Sequence, residues 1–132
     1  MKSGSLPVLL VEDETALREL MARLLERAGH LVRTAADASE ACAAASEVGA
    51  RFSAAIVDLT LPDSPGETVL NFLRQANGDL PLVAMSGMAM AGERFSLESG
   101  EPAYTLMKPF PPRLLVELLG RICPQPPDAS AS

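Results

Sequence analysis

Three apolar runs of strand length in this chain each end on charged residues. Leu6-Pro7-Val8-Leu9-Leu10-Val11 closes on Glu12-Asp13, Ser53-Ala54-Ala55-Ile56-Val57 on Asp58, and Ala103-Tyr104-Thr105-Leu106-Met107 on Lys108. Continuous rather than alternating apolar runs mark strands covered on both faces, as in parallel sheets with helical crossovers. The C-terminal strand ends of such a sheet open at one edge, so the carboxylates and the lysine converge on one crevice. Hard oxygen donors beside an ammonium suit a divalent cation and a phosphate group.

The segments between these runs read as helices and further strands. Leu17, Leu20, Met21, Leu24, Leu25 and Ala28 recur at helical spacing, with Arg18, Glu19, Arg23, Glu26 and Arg27 on other faces. Gly29 stands where a left-handed residue ends a helix. Leu31 to Ala35 predicts a second strand, and Asp37 with Glu40 three residues on predicts a capping-box start to an Ala-rich second helix. A turn rich in Pro and Gly follows Asp58, then an amphipathic segment carrying Val69, Leu70, Phe72 and Leu73. Leu80 to Met85 predicts the fourth strand and Tyr104 to Met107 the fifth. Between them, Gly87, Gly92 and Gly100 leave room only for a short, mobile fourth helix around Arg94 to Glu98. Pro112 suits the first position of a final helix with Leu114, Leu115, Leu118, Leu119 and Ile122 on its apolar face. The alternation predicts an α/β fold, a doubly wound parallel sheet with helices on both faces.

Composition narrows the function classes. A chain of 132 residues suits one domain with a sizeable core. Its formal charge of −6, from 11 basic and 17 acidic residues, argues against a broad nucleic-acid surface, which needs clustered Lys and Arg. Cys42 and Cys123 are too few and too ill-spaced for a disulfide framework or a zinc site, and read as two reduced thiols. No apolar run reaches bilayer length, so the expectation is a soluble, cytoplasmic protein with no membrane insertion. The boundaries read as a flexible N-terminus over residues 1–5, a folded domain over 6–122 and a disordered Pro-rich tail over 123–132.

Glu12-Asp13 after the first strand, Asp58-Leu59-Thr60-Leu61-Pro62 with Gly66 after the third, Ser86-Gly87 after the fourth and Lys108-Pro109-Phe110 after the fifth resemble a response regulator receiver domain. The resemblance covers nearly the whole chain. It implies a flavodoxin-like sheet of five parallel strands in the order 2-1-3-4-5. It also implies that Asp58 accepts a phosphoryl group from a sensor histidine kinase or a histidine phosphotransfer protein. Mg²⁺ would be bound by Asp13, Asp58 and the backbone carbonyl of Thr60, with Glu12 acting through water. Ser86 and Lys108 would each meet a phosphoryl oxygen, and the Lys108–Pro109 bond would be cis. Such a domain is not an enzyme in the ordinary sense. It is a phosphoacceptor that assists its own phosphorylation and dephosphorylation, then offers an altered surface of helix four, strand five and helix five to a downstream protein target, with no direct nucleic-acid contact.

The chemistry is sound on its own terms, since a carboxylate can act as nucleophile and hold phosphate as an acyl phosphate. Plainer readings stand beside it: Asp58 and Ser86 as turn residues, Asp13 as a helix cap, Lys108 as a solvated charge. Three positions depart from the family pattern. Glu12 stands where Asp is usual. Thr105 occupies the place of the aromatic switch residue, with Tyr104 one position earlier and so on the opposite strand face. Either that strand is shifted or bulged, or the aromatic switch is absent. Met88, bordering the path of attacking water together with Thr60, would slow hydrolysis. Competing functions are a receiver excised from a hybrid histidine kinase, a phosphorylation-independent interaction module, and a small Asp-nucleophile phosphohydrolase. The last needs a second Asp two residues on and a first-strand position, whereas Asp58-Leu59-Thr60 has neither.

Overall fold

Each predicted strand finds a parallel neighbour. In the computed structural model, which describes residues 6–76, 78–86, 104–108 and 110–123, β1 (Val8–Val11), β2 (Val32–Ala35), β3 (Ala54–Asp58), β4 (Leu82–Ser86) and β5 (Tyr104–Met107) form one sheet in the order β2-β1-β3-β4-β5. Four described helices cross over it: α1 (Thr15–Arg27), α2 (Ala38–Ser46), α3 (Gly66–Ala76) and α4 (Pro112–Ile122). The short helix expected between β4 and β5 lies outside the described residues, so α4 here is the final helix of the sequence reading.

Alternate strand residues feed two cores. Leu9, Val11, Ala55, Val57, Leu82 and Ala84 pack under α2 and α3 with Ala41, Val69, Leu70 and Leu73. On the opposite face Val8, Leu10, Ala54, Ile56, Val83 and Met85 pack under α1 and α4 with Met21, Leu25, Leu115 and Leu119. Both faces of β1, β3 and β4 are covered, which is why these three read as unbroken apolar runs, whereas the edge strands β2 and β5 stay largely exposed. The Ala-rich sequence of α2 buries Ala38, Ala41 and Ala44 against its core.

Helix ends follow their local chemistry. Gly29 takes φ +102°, and the amides of Gly29 and His30 close onto the carbonyls of Glu26 and Leu25 at 3.0 Å each, a Schellman stop. Asp37 caps α2 by accepting from Glu40 N at 2.8 Å, while the Glu40 carboxylate reaches back to Ala36 N, one residue before the usual capping-box donor. Pro112 opens α4 as predicted.

One expected boundary is corrected. Cys123, read as the first residue of a disordered tail, ends α4 and packs buried in the α1/α4 core, so the folded part includes it. The residues after it lie outside those described, and both cysteines are free. The alternative left open at β5 is narrowed by its pairing, where Val83, Ala84, Met85 and Ser86 pair one to one with Tyr104, Thr105, Leu106 and Met107. This pairing is continuous, with no bulge. Tyr104 shares a face with Leu106, which packs on the α1/α4 core, and Thr105 shares the other with Ala84. Among the described residues, no helix is long and apolar enough to cross a membrane.

The turn after β3 depends on one glycine. Gly66 N donates to Leu59 O at 3.0 Å, and Thr60 and Pro65 form an antiparallel bridge, closing a tight loop. A Cβ on Gly66 would lie 2.3 Å from the Asp58 carbonyl oxygen and 2.5 Å from Leu59 Cα, both backbone atoms. Gly66→Ala should therefore destabilise the protein by about 3 kcal/mol, the upper end of overpacking costs, read as a lower urea midpoint. An unchanged midpoint would mean that the backbone approach is looser than this.

Candidate functional site

The ladder sets where each chemical group emerges. Val11 pairs with Val57 and Val57 with Ala84, so Glu12 and Asp58 follow at one sheet edge. Hydrogen bonding continues one residue past the strands, with Glu12 N on Ala35 O at 3.0 Å, Leu59 N on Met85 O at 2.9 Å and Lys108 N on Ser86 O at 2.7 Å. The backbones that carry the charges are thereby held as firmly as the strands themselves.

Glu12 and Asp58 are 0% and 2% exposed. Lys108 Nζ lies between them, 3.0 Å from Glu12 Oε1 and 2.8 Å from Asp58 Oδ2, with a quarter of its side chain still accessible. Each carboxylate satisfies its second oxygen locally. Glu12 Oε2 accepts from Glu14 N at 3.1 Å, and Asp58 Oδ1 accepts from both the amide and the hydroxyl of Thr60 at 2.9 Å. Arg18 donates to the Glu12 carbonyl at 2.8 Å, bracing the β1–α1 turn.

Burial, with the Asp58 charge adding to it, pushes the Glu12 carboxyl above its ordinary value against the Glu14 amide and Lys108, which oppose it. Burial alone would lower the Lys108 ammonium. The hydrogen bonds and charges of Asp58 and Glu12 outweigh that effect, and its value is raised.

Glu12, Asp13 and Asp58 each offer one carboxylate oxygen, and these atoms lie within 4.8 Å of one another. An all-oxygen anionic set fits a hard divalent cation. Asp13 is exposed beside its two buried neighbours. Its alternative role as a helix cap is not realised, since Glu14 is the N-cap of α1 and makes no side-chain cap bond.

The fold thus brings Glu12, Asp13, Asp58, Thr60 and Lys108 together, and sets Ser86 buried at the end of the adjacent strand. Gly87, Met88 and Pro109, and with Pro109 the expected cis bond, lie outside the described residues. Glu12, expected to act through water, also contacts Lys108 directly. Two contributions escaped sequence reasoning. The Thr60 hydroxyl bond had a signal, because Thr two residues after Asp favours such local turns. Arg18 had none, since its place on α1 looks like an ordinary solvated face.

The chain matches the response regulator receiver domain family over residues 8–120 and belongs to it. It is 35% identical over 108 residues to the sensor kinase CckA of Brucella abortus, covering 82% of this chain and 11% of that protein. It is 35% identical over 125 residues to the transcriptional regulatory protein GltR of Pseudomonas aeruginosa, covering 92% of this chain and 49% of that one. The crystal structure of the receiver domain from the hybrid histidine kinase CckA aligns with a TM-score of 0.72 and 30% identity, over 87% of this chain and 96% of that one. The chain spans half or less of the length of these two curated relatives. Receiver domains are modules of two-component signal transduction, phosphoacceptors rather than classical enzymes, and they interact with histidine kinases and regulators.

A raised Glu12 value has a measurable consequence. Its carboxyl binds a proton more tightly folded than unfolded, so its contribution to stability is full below the unfolded value of 4.5 and is lost as pH rises through the raised folded value. Glu12→Gln, which removes the charge and keeps an acceptor, should unfold at a higher temperature than the parent at neutral pH in the presence of a chelator. The gap should close below pH 4.5. A gap that does not change with pH would contradict this account.

Proposed function

We propose that Asp58 accepts a phosphoryl group from a phosphohistidine, and that the new charge at this sheet edge changes the surface offered to a partner protein. One observation carries the reading: a buried carboxylate at a strand end, with Lys108 Nζ 2.8 Å from one oxygen, stands beside two further carboxylates suited to a cation.

An Asp58 oxygen attacks phosphorus. The new O–P bond forms as the P–N bond to the donor imidazole breaks, and the electron pair leaves on nitrogen, which takes up a proton. Transfer of this kind demands alignment and neutralisation of the equatorial oxygens more than covalent machinery. Lys108 follows one phosphoryl oxygen while its bond to Glu12 keeps it anchored, and Ser86 donates to another. Asp13, Asp58 and the Thr60 carbonyl would hold Mg²⁺, with Glu12 acting through water. Bound Mg²⁺ supplies the positive charge that offsets the phosphoryl oxygens. Loss of phosphate proceeds by attack of a water oxygen on phosphorus past the Thr60 side chain: the new O–P bond forms as the Asp58 O–P bond breaks, the water proton passes to solvent, and inorganic phosphate leaves the free carboxylate.

The donor is a sensor histidine kinase or a histidine phosphotransfer protein, and the readout is a downstream protein target. Tyr104 and Met107, about half exposed on edge strand β5, supply apolar surface for it. With Thr105 rather than an aromatic beside Ala84, the switch does not rest on burying a ring behind Ser86. The similarity to CckA favours a second setting, a receiver joined to a kinase, and Asp58 has the same role in either.

Incubation with acetyl phosphate and Mg²⁺ should add one phosphate by intact mass, and Asp58→Asn should add none while remaining folded. Phosphate on the Asn variant would refute the assignment. Asp13→Asn should weaken Mg²⁺ binding by at least about tenfold, since loss of even an outer partner costs that much. Equal affinity by calorimetric titration would take Asp13 out of the site.

A further inference from the structure

Asp63 stands at the tip of the loop whose base is closed by Gly66 N on Leu59 O and by the Thr60–Pro65 bridge. Its carboxylate reaches a distant helix. Oδ1 accepts from Ala38 N at 2.9 Å and Oδ2 from Ser39 N at 3.0 Å, across 25 and 24 residues of sequence. Ala38 and Ser39 open α2, so their amides have no partner within the helix, and the positive helix end favours an anion there. The Ala38 amide, seconded by that of Ser39, holds the Asp63 carboxyl below the usual carboxylate range.

α2 does not need Asp63 as its cap. Asp37 already accepts from Glu40 N at 2.8 Å, in the ordinary position for this helix. The extra bonds connect two halves of the acidic site. The turn into α2 is tied to the β1 end by Glu12 N on Ala35 O at 3.0 Å. From Ala38 the connection passes through Asp63 to the β3–α3 loop, and from Thr60 to Asp58 Oδ1 at 2.9 Å. Beyond the direct pairing of β1 with β3, Glu12 and Asp58 are therefore joined by the Lys108 ammonium within the crevice and by the Asp63 link around its outside.

We propose that Asp63 is a positioning residue for this site. By fastening the tip of the β3–α3 loop to the α2 N-terminus, it holds the Asp58 carboxylate and the Thr60 carbonyl in the arrangement that binds the cation and receives phosphate. The proposal rests on the reading of Asp58 and Mg²⁺ given above. Asp63 acts through Thr60, and Asp37, which caps the same helix through Glu40 N, is its natural control.

The test uses the full chain with Asp63→Ala, Asp63→Asn and Asp37→Ala, measuring Mg²⁺ affinity by calorimetric titration with magnesium chloride, phosphate uptake from acetyl phosphate by intact mass, and thermal unfolding. Asp63→Ala should weaken Mg²⁺ binding and slow uptake by about tenfold, the scale of an outer-partner loss at a metal site. Asp63→Asn should fall between, because one amide oxygen can still accept one of the two bonds. Asp37→Ala should lower the unfolding temperature with parental Mg²⁺ affinity. Parental Mg²⁺ affinity in Asp63→Ala, or an equal loss in Asp37→Ala, would overturn the proposal. Failure of the phosphoacceptor reading looks different: the parent takes up no phosphate, while the Mg²⁺ affinities of the Asp63 variants still separate from that of Asp37→Ala.

Discussion

One ammonium makes this sheet edge possible. Glu12 and Asp58 are both buried, and removing each charge from water costs several kcal/mol unless it is paired. Lys108 Nζ serves both, from 96 residues away along the chain for one and 50 for the other. The remaining oxygens are met by the Glu14 amide and by Thr60. Two buried carboxylates against one lysine still leave an excess of negative charge, and exposed Asp13 adds to it. Burial first, and the Asp58 charge after it, raise the Glu12 carboxyl, and anything cationic that binds there stabilises the fold.

That triad exists only because of the sheet. Parallel pairing in the order β2-β1-β3-β4-β5 sets the ends of β1 and β3 side by side and brings β5 in on the far side of β4. The amides of Glu12, Leu59 and Lys108 extend the ladder one residue beyond the strands, so the acids and the base stand on backbone with little freedom. Gly66 lets the next helix start against the Asp58 carbonyl, which keeps the β3–α3 loop short and Thr60 within reach of the carboxylate. A site of this kind is held by backbone, with the side chains deployed from it.

Several of these features were legible in the residues because their causes are local. Strand ends were visible where apolar runs met Glu12 and Asp58, since burial of β1 and β3 on both faces leaves no polar alternation, and where the more exposed β5 met Lys108. Gly29 and the Asp37–Glu40 pair announced helix ends because a positive φ and an orphan amide are satisfied by neighbours a few residues away. Cys123 was misread for a related reason: the Pro-rich residues after it set the composition of that window, and its burial depends on Val8, Ala54 and Leu119, which no window contains. The Tyr104–Thr105 question could be posed from the sequence but not answered, because a register is a relation between two strands.

The division between chain and fold is sharpest at the acidic site. By itself the sequence determined which groups the site would have, because strands that must be buried can end in charge only where the sheet opens to water. It also determined the handedness and layering of the crossovers, from the alternation of strand-like and helix-like periods. The tertiary structure alone decided which groups meet: that Lys108 bonds both Glu12 and Asp58, that Thr105 and not Tyr104 shares a face with Ala84, and that Asp63 reaches α2 rather than the crevice beside it. Hydrogen bonds and ion pairs depend on distances of a few tenths of an ångström, and those follow from packing across the whole sheet rather than from any neighbourhood of the chain.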